Sequence, residues 1–119
     1  FLVGSRRLST ELGDLVEAVN RRRERPFAFD YSWDAPGHPE RIYCRSDHYN
    51  YARYGFPIIF LTSGLHDDYH APSDHPEKLD FGKMERVSDL LLDLTLELAN
   101  RPGRPVVDQT VPPLGTPCQ

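Results

Sequence analysis

The sequence predicts an α/β fold, and three observations carry that reading. Leu12, Leu15, Val16 and Val19 recur at the spacing of one buried helix face. Pro57–Thr62 is a continuous apolar run rich in β-branched and aromatic side chains, as a central strand buried on both faces requires. Met84, Val87, Leu91, Leu94 and Leu98 then fall on one stripe of a longer helix. The 119 residues hold no dividing linker, so they read as one α/β domain over 1–101 followed by a Pro-rich, extended or disordered tail over 102–119.

Each element has its own local signal. Phe1–Ser5 reads as the end of a strand, as if the chain were entered midway. Ser9 or Thr10 caps the first helix, with Glu11 and Asp14 in the turn where the dipole favours negative charge. Pro26 ends that helix region, and Phe27–Tyr31 alternates as a strand does. Pro36, Gly37 and Pro39 mark a loop, and Ile42-Tyr43-Cys44 reads as a short extended piece. Ser46 or Asp47 caps a short helix through Tyr54, closed by Gly55. A polar loop follows over 63–79, and Asp80 caps the last helix, which ends near Asn100.

Composition bounds the function. A net charge of -4 argues against a nucleic-acid backbone as partner, because that needs a basic face. The one dense basic run, Arg21-Arg22-Arg23 with Arg25, reads as a solvated helix end that suits the helix dipole. Phe56–Leu61, the longest apolar stretch, is far too short to span a bilayer. Compartment stays open, since the sequence starts at Phe rather than Met. Two cysteines make no disulfide framework, and both Cys44 and Cys118 read as free thiols.

In open α/β sheets ligands bind outside the carboxyl ends of strands, so the loop after Ile58–Thr62 is the place to look for chemistry. It holds His66, Asp67, Asp68, Tyr69, His70 and Asp74. Imidazole and carboxylate suit zinc, and a phenol can donate to a developing oxyanion. A solvated surface loop has the same composition. Asp47 and His48 form a second cluster, whose plainest role is capping a helix and whose alternative is orienting a ligand from behind.

Three segments together resemble the zinc aminopeptidase family that includes bacterial leucyl aminopeptidases, glutamate carboxypeptidase and glutaminyl cyclase. They are Arg45-Ser46-Asp47-His48-Tyr49-Asn50-Tyr51-Ala52, Gly55-Phe56-Pro57-Ile58-Ile59-Phe60, and Gly64 through Asp74, with Leu79-Asp80-Phe81-Gly82-Lys83-Met84 before the last helix. The resemblance implies the C-terminal portion of an α/β/α sandwich with a mixed β-sheet, lacking the N-terminal strands. It implies His70 as a metal ligand, Tyr69 as the residue that hydrogen-bonds the oxyanion, and zinc as cofactor. Asp47, His48 and Asp74 would support the site from behind.

What the sequence lacks matters equally. The family's other ligands are a His-x-Asp segment with a bridging Asp, a Glu-Glu pair and a further Asp, with the first Glu as general base. No adjacent Glu-Glu pair occurs here, and His66-Asp67-Asp68 stands just before Tyr69-His70, in the wrong place to substitute. The resemblance therefore implies part of an aminopeptidase acting on peptides, with one ligand and no base. The alternatives are a non-catalytic peptidase-like binding or assembly module, and a hydrolase whose site is rebuilt at an oligomer interface. Missing strands would leave a sheet edge open to self-association or to the missing N-terminal segment.

Overall fold

The computed structural model describes residues 1–118. Helix α1, Thr10–Arg21, starts where Ser9 turns extended and its hydroxyl accepts the Leu12 amide at 3.1 Å. Strand β1, Leu2–Val3, lies antiparallel to β2, Phe60–Leu61, with Leu2 opposite Leu61 and Val3 opposite Phe60. The Phe1 amino group and the Thr62 amide exchange bonds with each other's carbonyls at 2.7 and 3.2 Å, adding one rung. The amide of Leu2 therefore points to the other edge, where it meets the Asp30 carbonyl at 2.9 Å.

Alternation along these strands splits the core in two. Leu2, Ile59 and Leu61 join Leu12, Val16 and Val19 of α1 and Leu90 and Leu94 of α3, Phe81–Ala99. Val3, Ile58 and Phe60 face the other way, onto Leu8, Ile42, Tyr43 and Ala52, the last from the short helix α2, His48–Ala52. The result is a small mixed helix and strand fold around a two-stranded antiparallel sheet. That is compatible with an α/β piece of a larger domain.

Several expectations from sequence are corrected here. The run at 57–62 contributes only two strand residues, its side chains are half-buried, and among the described residues one edge of β2 has no neighbouring strand. Phe27–Tyr31 is extended, with Phe27, Phe29 and Tyr31 packed on the core, but a single bond to β1 does not make it a strand. Ile42–Cys44 forms a 3-10 turn rather than an extended piece. Ile42 and Tyr43 are adjacent yet both join the same core cluster, whereas neighbouring residues of a strand point to opposite faces.

Helix α3 is rotated from the expected stripe. Leu90 and Leu94 are buried with Leu98 beside them, whereas Met84 is 49% exposed and Leu91 40%. Apolar residues cover more than half of this helix, so periodicity leaves its rotation open. The arginines just after α1 fit this rotation: Arg22 pairs with Glu97 at 3.1 Å, and Arg23 lies against Asp93 and Asp89. The basic run is therefore a partner for the acidic edge of α3 and not only a solvated helix end. Phe81, Met84, Leu92 and Leu96 are left facing outward.

The tail is bonded to the body. Amides of Asp108 and Gln109 donate to the Leu8 carbonyl at 3.2 and 3.4 Å, and Asp108 Oδ1 accepts the Thr10 amide at 2.9 Å. Farther on, Cys118 is paired with Cys44, with a Cα–Cα separation of 6.2 Å. The cysteines are thus a disulfide and not free thiols. Sequence could not show this, because the two lie 74 positions apart. Closing a loop of that size stabilises a fold by up to about 4 kcal/mol in the chain-entropy account.

The rotation of α3 is testable by urea unfolding. Leu94→Ala should lower stability by about 2–5 kcal/mol and Leu91→Ala by less than about 1 kcal/mol. Equal costs would show that the helix presents another face.

Candidate functional site

The loop that leaves β2 is built from consecutive turns. Gly64 takes φ +96, and a Cβ there would stand 3.0 Å from the Phe1 ring. Phe1 stacks on Trp33 at 4.5 Å, and Trp33 lies 5.5 Å from His38. This aromatic floor under the start of the loop left no signal in the sequence, because its members are far apart in the chain.

Beyond Gly64, the Tyr69 amide donates to the His66 carbonyl at 2.9 Å and the Ala71 amide to the Asp68 carbonyl at 2.8 Å. These bonds hold His70 at φ 56, a left-handed conformation that histidine adopts more readily than bulky residues but still at a cost. Its ring is exposed and lies 4.1 Å from the Tyr69 ring, which lies 6.2 Å edge-on from His66. Sterically unusual residues of this kind concentrate at functional sites.

The carboxylates are otherwise engaged. Asp68 accepts Lys78 Nζ at 2.7 Å, and hydrogen bonds from Lys78 and Ser73 hold its carboxyl below the usual range. Asp74 is exposed and belongs to the turn through its amide, which donates to Ala71 at 3.1 Å. Asp67 is exposed. Among the described residues no three His, Cys, Asp or Glu side chains gather as a metal site needs. One imidazole does not fit a zinc centre, where catalytic sites supply three protein ligands.

The second cluster has partners of its own. Asp47 occupies the position before α2, but its side chain makes no capping bond. His48 is half-buried, stacked on Phe60 at 4.4 Å, with Nε2 at 2.8 Å from the Tyr43 carbonyl and Nδ1 buried without a partner. Among the described residues no hydrogen bond, ion pair or ring contact joins Asp47, His48 or Asp74 to Tyr69 or His70.

Burial lowers the pKa of His48, against smaller opposing effects of its bonds to Tyr43 and Ile42 and of the Asp47 charge. The unfolded chain therefore binds the proton more readily, and His48 should cost stability as pH falls below about 6.5. Urea midpoints between pH 7 and 5 should drop for the native chain and drop less for His48→Gln. Parallel curves would mean that His48 is not held neutral.

The family model for Peptidase family M28 matches residues 4–95. No curated protein and no solved structure matches the chain.

Proposed function

Because this chain belongs to Peptidase family M28, we propose that it is part of a zinc-dependent aminopeptidase that releases N-terminal residues from peptides. Membership in a metallopeptidase family supplies the reaction class. The finer assignment rests on one observation: a strained, exposed imidazole and a phenol side by side on the turn that follows β2. His70 would be one zinc ligand. Tyr69, 43% exposed, would donate its hydroxyl proton in a hydrogen bond to the oxyanion that forms when the scissile carbonyl is attacked.

The remaining ligands and the general base come, on this reading, from another polypeptide segment. Residues Ile59 and Leu61 direct their amides to the edge of β2 that lacks a neighbouring strand, so that edge is a natural place for the segment, or for a second copy, to pair. The donor shortage also suits a second reading, a peptidase-like module that binds or assembles without catalysis. A hydrolase rebuilt from His66, Asp67, Asp68 and His70 is less supported, since Asp68 is committed to Lys78.

The first two readings separate by activity. With zinc added, the 119-residue chain should release no product from an aminoacyl-anilide. In the assembled enzyme, His70→Ala should abolish turnover, and Tyr69→Phe should lower kcat about 10²-fold with KM little changed. Hydrolysis by the chain alone, lost in His70→Ala, would overturn the proposal. An assembly in which neither substitution alters turnover would favour the non-catalytic module.

A further inference from the structure

A cavity of about 900 Å³ lies between the body and the C-terminal tail, away from the His70 loop. Tyr43, Tyr49, Arg53 and Tyr54 line it from the body together with the paired Arg7 and Asp34, and residues 109, 110 and 112–118 line it from the tail. Tyr43 and Tyr49 meet edge to face at 5.8 Å. The guanidinium of Arg53 lies 5.0 Å from the centre of the Tyr54 ring and bonds its hydroxyl at 3.1 Å. Among the described residues Arg53 has no carboxylate partner. An aromatic wall beside a cation without a counter-ion is suited to an aromatic anion, which stacks on the rings and places its charge at the guanidinium.

The tail crosses this cavity as a strap fixed at its two ends. Its first anchor is the set of bonds at residues 106–109: Val106 donates to Glu11 Oε2 at 2.8 Å, and Asp108 and Gln109 hold Leu8 and Thr10. Its second anchor is the Cys44–Cys118 disulfide. Between the anchors, residues 110–117 are exposed and make one hydrogen bond among the described residues, from Thr116 to Pro113 inside the strap. Cutting the second anchor thus releases everything beyond the first. Cys44 and Cys118 themselves line the cavity, so the latch sits at its wall.

We propose that this cavity is a binding site for an aromatic anion, closed by a strap that the Cys44–Cys118 disulfide latches. A dithiol opens it: two electrons and two protons pass to the sulfurs, Cys44 and Cys118 become thiols, and the reductant leaves as a cyclic disulfide. The proposal is independent of the peptidase reading, because no residue of the His70 loop takes part.

The test uses the full chain with anilinonaphthalenesulfonate as probe. Adding dithiothreitol should raise probe fluorescence at least about fivefold, since apparent affinity scales with the open fraction. Cys118→Ser should give the same rise without reductant, and Arg53→Ala in that background should remove it with the circular dichroism unchanged. Hydrogen exchange should accelerate at the Thr116 amide, the hydrogen-bonded one in the strap, in the reduced chain while amides of α1 and α3 keep their protection. Fluorescence that does not respond to reduction would overturn the proposal. A rise that survives Arg53→Ala, or comes with loss of protection in α1 and α3, would also overturn it, as general loosening.

Discussion

Four paired residues organise this molecule. Leu2 with Leu61, and Val3 with Phe60, form a ladder so short that its stability must come from what packs on it and not from hydrogen bonds. Alternation sends one pair into the layer of α1 and α3 and the other onto the Tyr43 layer, so the ladder is the wall between two cores. Its position also fixes the chemistry. The loop that carries Tyr69 and His70 departs directly from β2, and Thr62, bonded to Phe1, is its point of departure.

The same wall is incomplete. Among the described residues one edge of β2 has no neighbouring strand, and α3 turns Phe81, Leu92 and Leu96 to solvent, with Phe81 64% exposed. A helix that is apolar beyond the face its neighbours cover is a common feature of elements built to be buried on more than one side. Around His70, too, no group of three possible metal donors gathers among the described residues. On the function proposed above, one additional segment or subunit would complete the edge, the helix face and the donor set.

Local signals in the sequence were dependable where the physics is local. Ser9 and Asp80 cap their helices as their side chains dictate, and the alternation at Phe27–Tyr31 gives the correct inward side chains. Legibility ended where distant residues decide the outcome. Rotation of α3 goes with its pairs to Arg22 and Arg23, about 70 positions earlier, and apolar periodicity alone pointed to Leu91 and Met84. The tail has the composition of a disordered segment, yet Leu8, Thr10 and Cys44 tie it down. At the site, the motif around His70 identified the family, but the stacking of His48 on Phe60 joins residues 12 positions apart, which spacing does not encode.

On the function proposed above, His70 is one zinc ligand whose partners are not gathered around it among the described residues. Calorimetric titration of the purified chain with zinc measures this most directly. The native chain and His70→Ala should give the same weak trace, with no saturable site tighter than about 100 µM, because one protein ligand replaces too little of the ion's hydration shell. A tight one-to-one site that disappears in His70→Ala would contradict it.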